Sequence, residues 1–264
     1  DGAAARGQAT LSRVLPVLTI APHIADLVTG NPGDRRRFMD WGAFHCARGE
    51  ANVFSALRRA LLQRNTGLRS GTITDPHLDA WDQQIAELGE EVDVWRESFI
   101  QQIRSVFKDI VEALGLGLEL DIRYFRGWGS GDLLGELQGG RARDRKLRST
   151  QVGPHRADLE FRCGNDKASE VLSRGQLKTL TIALILAQLE VARAAGAEPV
   201  LCLDDPGAEL DSRFQRSMWG AVLRANCQVL VTGIDVERVG LLPEEVGDAK
   251  VFHVKQGIIR SPKE

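Results

Sequence analysis

An α/β fold with a separate helical lobe is what this sequence predicts, on two observations. After about residue 150, apolar strand-like runs alternate with helices across short loops, a pattern typical of a largely parallel sheet. Between about residues 35 and 114, apolar residues recur instead at helical spacing. The 264 residues are 43% hydrophobic and 27% charged, an ordinary globular balance that argues against long disorder and collagen-like repeats.

The first part of the chain predicts a short strand and then a long helical region. Leu15–Ala21 is an apolar run that Pro22 ends, and a turn-rich stretch follows at Thr29–Gly33. We expect Asp34 to cap the helical region, which runs from Arg35 to Leu68.

A second long helix is predicted from Leu78 to Leu114, after a loop at 70–76. Its apolar positions advance by alternating steps of four and three residues, which is typical of a helix that buries one stripe. We expect the two helices to pack as an antiparallel pair and the stripe to form the core of their lobe. The stripe consists of Trp81, Ile85, Leu88, Val92, Trp95, Phe99, Ile103, Val106 and Ile110.

Charge lies in blocks along the chain. Residues 34–69 hold eight arginines against three acids, residues 75–122 hold twelve acids against three bases, and the segment up to Arg148 is basic again. The formal net charge of −2 is therefore a cancellation and does not exclude DNA. For Arg35–Arg37 a solvated helix start is favoured over a DNA site, while the basic residues at 141–148 are candidates for phosphate contacts.

The remaining elements alternate between strand and helix. Strands are predicted at 158–162, 199–203, 228–232 and 251–254, and helices at 174–193 and 212–224, with a turn at Gln256-Gly257 before Ile258-Ile259. No apolar run reaches the roughly 18–20 residues of a membrane span, and no signal segment opens the chain. The scattered cysteines have no metal-ligand spacing and favour free thiols in a reducing cytosol: Cys46, Cys163, Cys202 and Cys227.

The first chemical motif, Leu172-Ser-Arg-Gly-Gln176, stands directly before a helix. Ser173 followed by Gln176 fits a capping box, which is the favoured interpretation of the motif alone. The same residues also suit a phosphate, because a helix start offers free N–H groups and Gly175 permits close approach.

The second motif, Val200–Asp205, is a buried-type strand that ends in two carboxylates. Ligands of open α/β sheets bind at this edge, where one carboxylate can hold Mg²⁺ and its neighbour can position a water molecule. The alternative is a strand that ends in a polar turn. Two further residues also have both a structural and a functional interpretation. Asp211 fits a helix cap, and Thr232 is either a plain strand-end threonine or a hydroxyl that can reach a γ-phosphate or the water.

The order of these motifs resembles the second half of an ABC-type ATPase head. Leu172–Gln176 looks like the signature motif, Leu201–Asp205 like the Walker B strand, and Glu209-Leu-Asp211 like the D-loop, with Thr232 at the switch position. Within this class the chain resembles the RecF family from about Leu15 onward. The residues that carry this narrower likeness are Asn31–Trp41, Gln63-Arg-Asn65 and Gly153–Leu159, together with the threonine at the switch.

The resemblance implies an ABC-type ATPase head with an inserted α-helical lobe. Residues 1–22 would end ATPase lobe I, residues 23–148 would form the helical lobe II, and residues 149–264 would return to lobe I. Asp204 would serve Mg²⁺ and Asp205 the attacking water, and Thr232 would sense the γ-phosphate. The signature residues Ser173, Arg174, Gly175 and Gln176 would contact ATP bound to the other subunit, and Asp211 would lie at the dimer seam.

The resemblance also implies a role and partners. RecF-like proteins are cytoplasmic bacterial ATPases of DNA replication, repair and the SOS response, without a membrane partner. They dimerise on ATP, bind single-stranded and gapped duplex DNA at junctions, and with RecO and RecR help to load RecA. The alternative is another ABC head. A chromosome-maintenance protein is less compatible, because the helical segment is too short for a long coiled coil. A transporter head would need a membrane subunit, and a threonine at the switch position fits the RecF family better.

One motif of the class does not occur in the sequence. The chain contains no G-x-x-x-x-G-K-[ST] and no Gly-Lys dipeptide, so the amide cradle and lysine of a P-loop are missing. We expect an N-terminal P-loop segment to lie upstream, and this chain by itself to be inactive as an ATPase. The alternative is a remnant without a P-loop that acts as a DNA- or protein-binding module. For His155 and Arg156, a structural turn between the lobes and a nucleotide or DNA contact both remain open.

Overall fold

The α/β class is confirmed by the structure, a computed structural model that describes residues 8–21, 24–46, 50–206, 212–234, 239 and 249–260. In these residues the helices are α1 (Gln8–Val14), α2 (Asp26–Thr29), α3 (Pro32–His45), α4 (Ala51–Ser70), α5 (Asp75–Ala113), α6 (Leu133–Gly139), α7 (Arg141–Leu147), α8 (Ala168–Val171), α9 (Arg174–Ala194) and α10 (Ser212–Arg224). The strands are β1 (Val17–Ile20), β2 (Leu120–Phe125), β3 (Asp158–Cys163), β4 (Asp166–Lys167), β5 (Val200–Asp204), β6 (Val229–Thr232), β7 (His253–Lys255) and β8 (Ile258–Arg260), and a 3-10 turn covers Pro154–Arg156.

A parallel sheet of order β1-β5-β6 carries the strand ends of interest. In its register Val17 pairs with Val200, and Asp204 pairs with Thr232 at the carboxyl end. One face is apolar and buried, through alternate residues such as Leu18 and Leu201. Because the strands are parallel, their carboxyl ends meet at one edge.

Helix α9 covers the buried face of this sheet. Every residue from Leu177 to Leu189 is buried, as expected of a helix that is apolar on all sides. The two threonines in this stretch donate within the helix, Thr179 to the Gly175 carbonyl oxygen and Thr181 to that of Leu177. Gln188 donates to the Phe38 carbonyl oxygen of α3. The predicted signature helix is therefore also the central helix of the core.

The strand at Asp158–Cys163 belongs to a second sheet, which corrects the sequence prediction. It pairs antiparallel with β2, a strand that the sequence analysis did not predict, and with β4. Strand β2 buries one side chain fully, Ile122, and presents alternating polar residues to solvent. One-sided burial of this kind suits an antiparallel sheet, whereas parallel strands are buried on both faces.

The helical region predicted at 35–68 consists of two helices, and the predicted cap was wrong. Helix α3 begins at Pro32, and the Asn31 side chain accepts a hydrogen bond from the Gly33 amide at 2.8 Å. Asparagine followed by proline at the first helical position is a strong helix start. Asp34 lies inside the first turn instead, where it pairs with Arg37.

Helix α5 confirms the long apolar stripe. It runs for 39 residues and packs against α4, as predicted. Its first half buries Ile85 and Val92 in a small core with α4 and α6, and its second half buries Phe99 and Ile103 in the main core with α9. The helix thus joins the two cores. Among the described helices, none has the length and apolarity needed to cross a membrane.

Gly42 marks the close approach of α3 to α5. A Cβ atom at this position would lie 2.2 Å from the Phe99 ring, which is fully buried. We expect Gly42→Ala to lower the free energy of unfolding by about 1–3 kcal/mol, because the ring has no space to move. Urea denaturation measures the change. Gly139→Ala is the control, since its Cβ would meet no atom within 4 Å; equal losses in the two variants would contradict the close packing.

Candidate functional site

Ser173 begins helix α9 with the predicted capping box. Its hydroxyl accepts a hydrogen bond from the Gln176 amide at 3.3 Å, and the Gln176 side-chain oxygen accepts one from the Ser173 amide at 2.9 Å. Arg174 and Gly175 are exposed, and a Cβ on Gly175 would meet open space. The first turn therefore presents backbone N–H groups and a cation to solvent, as an anion site requires, although the cap alone explains the sequence.

Asp204 and Thr232 form a hydrogen-bonded pair at the carboxyl edge of the parallel sheet. The Thr232 hydroxyl donates to Asp204 Oδ1 at 2.5 Å, and both residues are exposed. The parallel register of β5 and β6 places the two side chains opposite each other. The hydroxyl thereby fixes the orientation of the carboxylate.

Asp205 leaves the strand in an unusual backbone conformation. Its φ of 45° lies in the left-handed region, which is uncommon for residues other than glycine. The Asp205 amide donates to the Thr232 carbonyl oxygen at 3.0 Å, so the β5–β6 ladder continues past the strand end. This bond fixes the backbone of Asp205 at the end of the strand. Asp211, the third predicted acid, lies outside the described residues.

The donor set at this edge is compatible with Mg²⁺. Asp204 Oδ1 accepts the hydrogen bond from Thr232. Within the described residues, no hydrogen bond is made to the other carboxylate oxygen, Oδ2. The described residues contain no group of three or more His, Cys, Asp and Glu side chains that would hold a metal by themselves. One or two carboxylates that leave the remaining ligands to phosphate and water is the arrangement in which Mg²⁺ is usually bound.

The predicted site residues fall into two separate groups. Asp204, Asp205 and Thr232 are brought together by the sheet, whereas Ser173–Gln176 lie at the start of α9. Within the described part of the chain, no hydrogen bond or ion pair joins the two groups. The two groups are therefore separate features of this chain, one at the start of α9 and one at the edge of the parallel sheet.

Thr150 is a junction that the sequence analysis did not identify. Its amide and hydroxyl both donate to Asn65 Oδ1, at 2.7 and 2.8 Å, and its hydroxyl accepts from Arg64 at 2.9 Å. Its carbonyl oxygen accepts from His155 Nε2 at 3.0 Å and Arg156 at 3.1 Å. Residues of two motifs of the family resemblance, at 63–65 and 153–159, thus bind the same residue. The presence of both motifs in the sequence was the signal that could have indicated this junction.

His155 is neutral in this arrangement. Burial lowers its pKa to about 4, and the nearby charges of Arg156 and Arg36 act in the same direction. Because Nε2 donates to the Thr150 carbonyl, the buried Nδ1 atom has no hydrogen-bond partner among the described residues. The turn at Pro154–Arg156 has the structural role that the sequence left open, because it bonds to α5 and to Thr150. Arg156 is exposed at the same time, so the second role, a contact with DNA, stays open for it.

The basic blocks are partly used inside the fold. Arg35 is buried and pairs with Asp158 at 2.6 Å, so the predicted solvated role was wrong for this residue. Arg141 pairs with Asp79 and Asp82 on α5 at 2.6 and 2.7 Å. Much of the alternating charge seen in the sequence is thus complementary charge between elements.

Known proteins resemble the chain over nearly its whole length, although no protein-family model matches it. The DNA replication and repair protein RecF of Hahella chejuensis is 35% identical, with 98% of this chain and 72% of the relative covered. The RecF protein of Azotobacter vinelandii is 37% identical, with 98% and 71% covered.

Two solved structures share the fold. The recombination mediator protein RecF-ATPrS in the RecFOR pathway superposes with a TM-score of 0.80 at 20% identity, covering 98% of this chain and 71% of that protein. The RecF-ATP structure gives 0.77 at 22% identity, with 94% and 68% covered.

The parallel sheet, its covering helix and the helices packed beside it have the fold of an ABC-type ATPase head, as the sequence predicted. The family follows from the 35–37% sequence identity to RecF proteins across most of the chain. The chain belongs to the RecF family.

Proposed function

We propose that this protein acts in DNA replication and gap repair as a RecF-type ATPase whose two heads associate around ATP. The observation that carries the proposal is the Thr232–Asp204 hydrogen bond, with Asp205 held beside it at the carboxyl edge of a parallel sheet. An oriented carboxylate at this edge, followed directly by a second acidic residue, is suited to phosphate chemistry. The proposed lobes are residues 1–22 with 149–264, and residues 23–148.

Each site residue has a proposed role. Asp204 holds Mg²⁺, which when bound neutralises phosphate charge. Asp205 orients the attacking water and accepts its proton, and Thr232 keeps Asp204 in place and contacts the γ-phosphate. Ser173, Arg174, Gly175 and Gln176 bind the γ-phosphate of the nucleotide on the other subunit, with Asp211 at the seam. ATP thus stabilises the dimer by mass action, and hydrolysis releases it.

The proposed partners follow from the family. Single-stranded and gapped duplex DNA are the proposed substrates of binding, with RecO and RecR as protein partners and RecA loading as the indirect outcome. The proposed compartment is the bacterial cytoplasm. A RecFOR pathway is named for the solved RecF structures that share this fold.

A second candidate function rests on the missing G-x-x-x-x-G-K-[ST] motif. Without the amide cradle and the lysine of a P-loop, this chain by itself would bind ATP weakly. In that case it would serve as a DNA- or protein-binding module without hydrolysis.

ATP-dependent binding to gapped DNA separates the two candidates. The experiment compares this chain with any longer product of its gene, using fluorescence anisotropy of a labelled gapped duplex with and without ATP and Mg²⁺. The ATPase proposal expects a longer product to carry a P-loop and to bind more tightly with ATP. Binding that is equal with and without ATP in both proteins would support the module instead.

Asp205→Asn tests the role of the second carboxylate. In a product that carries a P-loop, we expect ATP turnover to fall by about 100-fold or more, because a positioned general base typically contributes that much. ATP-dependent association should persist, since binding does not need this group. Asp166→Asn, at an exposed hairpin, is the matched control. Unchanged turnover in Asp205→Asn would reject the assignment.

A further inference from the structure

Three arginines converge on one short segment of backbone. Arg36 donates to the carbonyl oxygen of Ala157 at 3.0 Å, Arg96 to that of Pro154 at 2.7 Å, and Arg156 to that of Thr150 at 3.1 Å. A carbonyl oxygen carries only a partial negative charge. These bonds therefore fix the guanidinium groups without neutralising them.

Some arginines around this backbone segment are neutralised by carboxylates, and others have no carboxylate partner among the described residues. Arg35 pairs with Asp158 at 2.6 Å and Arg96 with Asp40 at 2.7 Å. No carboxylate of the described residues lies within ion-pair distance of Arg36, Arg156 or Arg58, the last of which is an exposed residue of α4. Three positive charges thus remain in excess.

The pKa shifts of Arg36 and Asp40 also indicate that several cations lie close together. Burial lowers the pKa of Arg36, and the charges of Arg96 and Arg156 lower it further against the opposing effect of Asp158 and Asp40. Burial raises the pKa of Asp40, which the charges of Arg96, Arg36 and Arg58 oppose. Asp40 therefore lies within electrostatic range of cations from α3, α4 and α5.

We propose that Arg36, Arg58 and Arg156 form a surface that binds the phosphates of a DNA backbone. Guanidinium groups match phosphate geometry, and those of Arg36 and Arg156 are held in place by the bonds to Ala157 and Thr150. The three come from separate elements, α3, α4 and the turn at Pro154–Arg156, which suits a linear polyanion better than one phosphate group. In the other basic block, Arg141 and Arg145 pair with acids of α5.

This inference rests on the proposed DNA-binding function and refines it to particular residues. The test uses the whole chain, a fluorescein-labelled gapped duplex and anisotropy at NaCl concentrations between about 50 and about 200 mM. The variants are Arg58→Gln, Arg156→Gln and the two together. The matched control removes two other exposed arginines, Arg69→Gln with Arg123→Gln, and so changes the net charge equally.

The salt dependence is the decisive readout. For each arginine removed from the surface, the slope of log affinity against log salt should fall by about 1. Between 50 and 200 mM salt, the double variant should therefore lose about 16-fold less affinity than the wild type. The control should keep the wild-type slope, because the slope counts phosphate contacts and not net charge.

The other outcomes distinguish failure of the proposed DNA binding from failure of the proposed surface. A wild type that fails to bind gapped DNA at low salt rejects DNA binding by this chain, and the surface with it. A wild type that binds, beside a double variant of unchanged slope, rejects the surface alone. Should Arg156→Gln disturb the turn at Pro154–Arg156, seen as a lower melting temperature, Arg58→Gln still decides, because Arg58 is an exposed residue of α4 and lies outside this turn.

Discussion

Arg64→Met is expected to lower the free energy of unfolding by about 3–5 kcal/mol, because it leaves a buried carboxylate without its cation. Arg64, Asp82 and Asp144 have fully buried side chains, and Arg64 lies 2.7 Å from a carboxylate oxygen of each aspartate. Asp82 keeps Arg141 at 2.7 Å after the substitution, whereas Asp144 has no second ion-pair partner in the described chain. The uncompensated charge on Asp144 is therefore the main source of the loss.

Urea denaturation followed by circular dichroism and tryptophan fluorescence measures this loss. Coincident transitions in the two signals justify a single free energy. Arg69→Met on the same helix is the control; Arg69 is exposed, so we expect a change within about 0.5 kcal/mol. Adding Asp144→Asn to Arg64→Met should recover part of the loss. A loss below about 1 kcal/mol in Arg64→Met would mean that the buried pairs contribute less than burial of this kind predicts.

The regular elements were predictable because their signals are local. Periodicity and capping residues locate α9, which begins at Arg174 as predicted, and α10, which occupies the predicted 212–224. The alternation of strand and helix indicates parallel pairing of β5 with β6, and so places Asp204 near Thr232. The hydrogen bond between them was not predictable, because it depends on side-chain orientation at the ends of two strands.

The errors concern partners that are distant in the sequence. Arg35 is buried because Asp158, 123 residues later, neutralises it, and no local pattern contains this information. The same holds for Arg64 and Asp144, which are separated by 80 residues. The local pattern of a charge run therefore predicts solvated arginines, although one member of the run, Arg35, is buried. The strand pairing of β2 with β3 was missed for the same reason, since the connection between them contains helices.

Family resemblance located residues whose roles the local chemistry did not explain. Gln63-Arg-Asn65 and Gly153–Leu159 have no evident chemistry as separate motifs. In the structure they share Thr150, where Asn65 binds the amide and hydroxyl and Arg156 binds the carbonyl oxygen. These polar residues join the helices to the turn before β3, and they also position one of the cations proposed to bind DNA, Arg156.

Gly127→Ala is the second substitution expected to have a large effect, about 3–5 kcal/mol of unfolding free energy from backbone strain and steric overlap together. Gly127 has a φ of 97°, which alanine rarely adopts. A Cβ there would lie 2.3 Å from the Gly153 carbonyl oxygen and 2.6 Å from the Ala157 amide nitrogen. Both are backbone atoms, and the Gly153 amide already donates to the Gly127 carbonyl oxygen at 3.0 Å. The turn at Pro154–Arg156 must therefore move away from its present position.

Gly196→Ala separates strain from overlap in this prediction. Gly196 has a similar φ of 87°, but a Cβ there would meet no atom within 4 Å, so we expect a loss of about 1–2 kcal/mol. Urea denaturation of both variants gives the difference that belongs to the contact with Gly153. Because displacement of the turn also moves Arg156, Gly127→Ala should weaken binding of gapped DNA at temperatures where it remains folded, while Gly196→Ala should not. Equal losses of stability in the two variants would show that the backbone around Gly153 can move away from the new Cβ atom without a loss of unfolding free energy. In that case the turn would not hold Arg156 in a fixed position.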